Sequence, residues 1–205
     1  MIDNMKTGEF RYHQSAITDQ DEAEWGITPS QTVGPYVHIG LTREGSEIMV
    51  DPTDPNAIEV TISVTDGAGE PIADAMIEIW QTNCAGIYNS PLDPDCDQAS
   101  PEGFRGLGRG MVNDAGEVTF TTLKPGSRGQ EAAHFKVGVF ARGMLERLYT
   151  RMYLADESAT DPVLEIVPEE RRHLLIAQEV PGGYRFDIQV QHEDPTKETP
   201  FFDTH

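Results

Sequence analysis

Basic residues are scarce in this chain. Its 205 residues hold 15 Lys and Arg against 35 Asp and Glu, a formal net charge of −20. A surface of that sign repels a phosphate backbone and an anionic bilayer, so nucleic acid and membrane are poor partners. It also opposes an anionic small substrate, which would need a local cation. Cysteine is nearly absent: there are only Cys84 and Cys96, and no C-x-x-C pair. The opening MIDNMKTGEFRYHQ lacks an apolar core of the secretory kind. No apolar run approaches the ~18 residues of a membrane-spanning helix. Together these absences predict a cytoplasmic protein with reduced thiols, in which a Cys84–Cys96 disulfide is not the default.

Turn formers, by contrast, are plentiful, with 19 Gly and 14 Pro. They suit a turn-rich β protein of one domain, and the length allows a sizeable core. Residues 1–27 are polar and unpatterned and read as an acidic arm, leaving a domain over 28–205. Period-two alternation then marks the strands. In IEVTISVTD (58–66), Ile58, Val60, Ile62 and Val64 share one face. ADAMIEIWQT (73–82) puts Ala75, Ile77 and Ile79 on one face and Trp80 on the other. NDAGEVTFTTL, HFKVGVFAR, RLYTRMYL and GGYRFDIQVQ alternate likewise. Residues 83–110 read as a long loop, which in a compact domain usually carries function. PEERRHLLIAQ (168–178) has Pro168 at its start and acids in its first turn, and predicts one helix. The sum is an all-β, antiparallel β-sandwich with one short helix and long connecting loops.

Charge is distributed unevenly. The acids crowd toward both ends, whereas Arg105, Arg109, Lys124, Arg128, Lys136, Arg142, Arg147 and Arg151 lie in the middle. That is the pattern of an anion pocket, or of ordinary surface mixing. His134 opens a strand, and Lys136 stands two places on, where a second histidine would face the same way. A lysine there carries a charge and offers no lone pair, so His134 is either half of a lost metal site or a hydrogen-bonded strand histidine. Tyr88 could pack, bind, or ligate a ferric ion as phenolate. Arg142, beside Gly143 at a strand's end, is suited to a carboxylate or to a surface ion pair. Gly34-Pro35-Tyr36 is a rigid kink: a pocket wall or a plain turn.

Taken in order, TPSQTVGPYVHIGL (28–41), IEIWQTNCAGIY (77–88), GRGMVNDAGEVTFTTLKPG (108–126), AAHFKVGVFARG (132–143), LYTRMYL (148–154) and YRFDIQV (184–190) resemble the intradiol ring-cleavage dioxygenases. The resemblance covers nearly all of the chain after residue 27. It points to the branch built from two homologous chains, α and β, assembled as a multimer of αβ pairs. There the β chain holds a non-haem Fe(III) through two tyrosines and an H-x-H triplet, with an arginine just before the triplet assisting catalysis. Carried over position by position, the first tyrosine is Tyr88 and the first histidine His134. The second histidine is replaced by Lys136, the arginine position falls near Glu131, and SRGQEAA (127–133) contains no tyrosine. The resemblance therefore implies an α chain that binds no cofactor itself and has no catalytic residue of its own. Its Gly34, Pro35, Tyr36 and Arg142 would reach the substrate pocket of the iron-bearing β chain. The implied reaction is O2-dependent cleavage of 3,4-dihydroxybenzoate to 3-carboxy-cis,cis-muconate. A non-enzymatic sandwich module and a homomeric dioxygenase are the competing readings.

Overall fold

The computed structural model describes residues 31, 32, 34–96, 101–155 and 161–203, so the expected 1–27 arm lies outside the described residues. Among the described residues eight strands form: β1 (Ala57–Thr65), β2 (Met76–Trp80), β3 (Leu107–Met111), β4 (Glu117–Leu123), β5 (His134–Phe140), β6 (Leu148–Leu154), β7 (Ile176–Val180) and β8 (Gly183–Gln189). They are ordered β3-β2-β5-β6-β7-β8-β1-β4. The β6–β7 link is only two pairs long, Tyr153 with Ile176 and Leu154 with Ala177. It hinges two four-stranded halves whose apolar faces meet.

The alternation read from sequence supplies that core. Val60, Ile62 and Val64 of β1, Ile77 and Ile79 of β2, Phe120 of β4, Phe135, Val137 and Val139 of β5, and Phe186 and Ile188 of β8 are buried in one cluster. This is the β-sandwich the sequence predicts. Burying side chains of this size stabilises by about 1.5–3 kcal/mol each, before conformational entropy is set against it. Five ladders are antiparallel, as expected. Two are parallel, β1 with β8 and β6 with β7, because the chain crosses between halves to reach those strands.

Three segments depart from the sequence reading. The 83–110 loop ends in a strand, β3, laid antiparallel on β2. The 168–178 helix is only a turn, Glu169–Arg172, followed by a 3-10 turn at His173–Leu175. From Ile176 the chain is β7, hairpinned to β8, because Ala177 joins the sandwich core and the ladder fixes the extended backbone. A second short helix, Pro162–Glu165, is capped by Asp161, whose carboxylate accepts from the Val163 and Leu164 N–H groups. Val37–Leu41 forms one π-helical turn.

Segment 46–49 bridges the two outer strands. Met49 N–H donates to Thr121 O, and Thr121 N–H to Glu47 O, along β4. On the other side, Arg109 N–H of β3 donates to Ser46 O, and Arg105 N–H to Met49 O. Cys84 and Cys96 are free thiols. Among the described residues, no helix is long and apolar enough to cross a membrane.

Candidate functional site

The outward faces of β2, β5 and β6 carry the side chains that the sequence singles out. Register places Trp80 beside Lys136, Lys136 beside Arg151, and His134 beside Tyr153. The loop after β2 returns Tyr88 over this face, its ring 4.6 Å from that of Trp80. The Lys136 ammonium lies 4.8 Å from the Tyr88 ring centroid and 4.8 Å from that of Trp80. It is a cation held by two aromatic faces. Arg128 approaches the Tyr88 ring at 5.6 Å and is anchored by Asp93 at 2.7 Å and by the Gly86 carbonyl.

His134 is buried. Its Nδ1 is 2.7 Å from Ala132 O, so that nitrogen carries the proton and donates. Nε2 is buried without a hydrogen-bond partner, and Glu131 stands 3.8 Å away. Burial, foremost, holds the His134 pKa below the ordinary histidine value, with the Arg151 and Lys136 charges adding to it. Burial likewise pushes the Tyr88 phenol up, and the Glu131 carboxylate adds to the shift. Tyr88 thus stays a neutral phenol.

Behind this cluster lies a second layer that the sequence reading did not assign. Arg151 is buried, 3.4 Å from Glu131 and 3.8 Å from Asp161. Burial opposes its charge, yet Tyr153 and Glu131 outweigh that, and its pKa rises. Asp161 accepts from Tyr153 Oη at 2.9 Å and from Ala132 N–H at 2.9 Å. Burial works to raise the Asp161 pKa, but these bonds and the two cap N–H groups hold it below the ordinary value. Arg151 was legible as part of the basic centre, and its outward place on β6, across from Lys136, was the signal for its role.

These residues do not suit a ferric ion. Lys136 brings a positive charge to the cluster where a ligand would need a lone pair, and Glu131 is engaged by Arg151. Cations crowd where a metal would need anionic donors.

The remaining candidates lie elsewhere. Arg142 follows the far end of β5, about 20 Å of strand from His134. Its side chain is 66% exposed, and its Nε is 3.4 Å from Asp74. Gly34 has φ +57°, a conformation glycine adopts without strain, and it turns the chain outward. Tyr36 is 75% and Ile39 74% exposed, so this kink projects large apolar groups into solvent. Among the described residues, both Tyr36 and Arg142 stand mostly open to solvent.

Known proteins resemble this chain in sequence and in fold. The model of the dioxygenase family (Dioxygenase_C) matches residues 32–191. The protocatechuate 3,4-dioxygenase alpha chain of Pseudomonas putida is 38% identical over 201 residues, covering 86% of this chain and 96% of that one. The protocatechuate 3,4-dioxygenase beta chain of Burkholderia cepacia is 32% identical over 163 residues, 68% of this chain and 66% of that one. Among solved structures, an intradiol ring-cleavage dioxygenase from Tetranychus urticae shares the fold, with a TM-score of 0.51 at 18% identity, over 72% of this chain and 88% of that one. With the alpha chain matched across nearly its full length and the sandwich in common, the chain belongs to the intradiol ring-cleavage dioxygenase family.

Proposed function

We propose that this chain is the non-iron α subunit of a cytoplasmic protocatechuate 3,4-dioxygenase, and that a homologous β chain holds the Fe(III). The observation that carries the reading is Lys136. Its ammonium is packed against Tyr88 and Trp80, beside the buried His134, where a ferric site would need a second neutral imidazole. The likeness to both an alpha and a beta chain supports assembly as αβ pairs. In this reading the domain spans 28–205, with 1–27 as its arm.

The partner's iron supplies the O2-dependent ring cleavage of 3,4-dihydroxybenzoate. This chain's residues supply shape and charge. Arg142, exposed and held among the described residues by one 3.4 Å contact to Asp74, can swing its planar guanidinium onto the substrate carboxylate or a neighbouring phenolate. In a chain of net charge −20, such a local cation is what makes an anionic substrate acceptable. Gly34, Pro35 and Tyr36 form a wall that the partner completes, and the exposed Tyr36 ring suits a face of the bound aromatic.

The test is expression of this chain alone and with its β partner, reading bound iron, visible absorption and protocatechuate-dependent O2 uptake. The chain alone is expected to be colourless and inactive, and the complex coloured and active. Arg142→Ala in the complex is expected to lower kcat/KM by about tenfold or more, the worth of a hydrogen bond to a charged group. Stoichiometric iron and turnover in the isolated chain would sink this reading.

A further inference from the structure

Three arginines converge on one cavity that borders the sites above: its Leu107 pairs with Trp80 across β2 and β3, and its Gly40 and Leu41 end the turn that follows Tyr36. Arg43, Arg105 and Arg109 line a hollow of about 250 Å3 with Gly40, Leu41, Ser46 and Leu107. We propose that this hollow is a binding site for small polycarboxylates.

The hollow is built by the backbone. Arg43 N–H donates to Ser46 Oγ at 3.2 Å, and Ser46 N–H returns to Arg43 O at 3.0 Å, locking that turn. Arg109 N–H donates to Ser46 O and Arg105 N–H to Met49 O, so the two other arginines hang from the same segment. Arg109 is paired with Glu78 at 2.7 Å. Arg43 and Arg105 form no ion pair among the described residues. Glu44 and Glu47 lie on the same segment, but neither lines the cavity. Among the described residues these two guanidiniums have no paired carboxylate, a local cationic pair in a chain of net charge −20.

Their planar forks match carboxylates bidentately. The volume suits a small molecule. Leu41 and Leu107 offer an apolar wall for a hydrocarbon spine, which inorganic phosphate lacks. If the function proposed above holds, the occupant that fits best is the ring-opened product. Cleavage between two hydroxyl-bearing carbons, with both atoms of O2 retained, turns each carbon into a carboxylate. The product then carries three carboxylates where the substrate carries one, and a site with two free arginines discriminates between them.

The experiment is calorimetric titration of the full chain at low salt with cis,cis-muconate, citrate, inorganic phosphate and benzoate, repeated on the αβ complex. One site for muconate and citrate is expected, with benzoate and phosphate at least tenfold weaker. R43Q/R105Q is expected to lose at least tenfold in muconate affinity, about one charge-assisted bond per arginine. If the double variant melts early, R43Q alone carries the test, because Arg43 is exposed and only its backbone holds the turn. Unchanged affinity in the variants overturns the proposal, as does equal binding of benzoate or phosphate. Loss of the site in the complex also overturns it, since the arginines would then belong to the subunit contact. Binding is read without iron or O2, so an inactive complex and an empty cavity are separate failures.

Discussion

Replacing Lys136 with methionine keeps the stem of the side chain and removes its charge. The ammonium sits 4.8 Å from each of two ring centroids, and both the lysine and Tyr88 are half-buried. A cation on one aromatic face at such a site is worth roughly 0.5–1 kcal/mol, so two faces give about 1–2 kcal/mol. Removing the charge also relieves repulsion from Arg128 and Arg151. Those guanidiniums already have carboxylates at 2.7 Å and 3.4 Å, which makes the relief the smaller term. The net expectation is a loss of about 1–2 kcal/mol, or a fall in Tm of about 2–8 °C for a chain of this size. Urea and thermal unfolding of the full chain measure it. A double-mutant cycle with Trp80→Leu isolates the lysine–indole share, expected near 0.5–1 kcal/mol. A Lys136→Met variant as stable as the parent, or more so, with no coupling to Trp80, would show that the lysine merely fills space left by a lost ligand.

Asp161→Ala uncaps the Pro162–Glu165 turn and leaves Tyr153 and Arg151 short of a buried partner; a loss of about 3 kcal/mol or more in urea titration is expected. The low pKa of Asp161 stabilises the fold above the ordinary carboxylate range, and that contribution fades as pH falls through its folded value; an acid titration of stability should lose this component in the Asp161→Asn variant. His134 is likewise held low, so its contribution is full above about 6.5 and falls on acidification below that; His134→Gln should flatten stability between about pH 6.5 and the folded value. A Cβ at Gly183 would stand 1.7 Å from Glu59 O, so Gly183→Ala should break the β1–β8 ladder and leave little folded protein by circular dichroism. The excess of acid suits raised salt: Tm should climb with added KCl, and a maximum in low-salt buffer would contradict that.

The alternating strands were legible because their inward positions hold Val, Ile and Phe. β3 was not, for a reason visible in the packing. Its inward positions are Gly108 and Gly110, where a Cβ would meet Met49 Sδ at 2.6 Å and Val118 Cγ2 at 2.5 Å. Neighbouring side chains fill the space that β3 leaves, so the strand carries no hydrophobic signal of its own. β7 was read as helix because a short apolar run has no period that settles the matter, and only its partner β8 fixes it. At the site, Glu131, His134 and Lys136 could be grouped from sequence because they lie on one loop-and-strand unit, whereas Tyr88, on the loop after β2, was joined to them only through the family resemblance. Trp80 and Arg151 join them through cross-strand register, and Asp161 through a tertiary contact that no local pattern encodes.

The 46–49 segment has a consequence for how this chain meets others. Exposed sheet edges invite foreign strands, which add on through backbone bonds with little regard for sequence. Here β3 and β4, the outermost strands, already have that segment as their neighbour. Strand addition and edge-to-edge aggregation are therefore blunted at both ends of the sheet. Recognition is left to side chains, the one feature by which two homologous sandwiches can tell each other apart. In the pairing proposed above, edges closed in this way leave the choice between a homologous partner and a second copy to side chains.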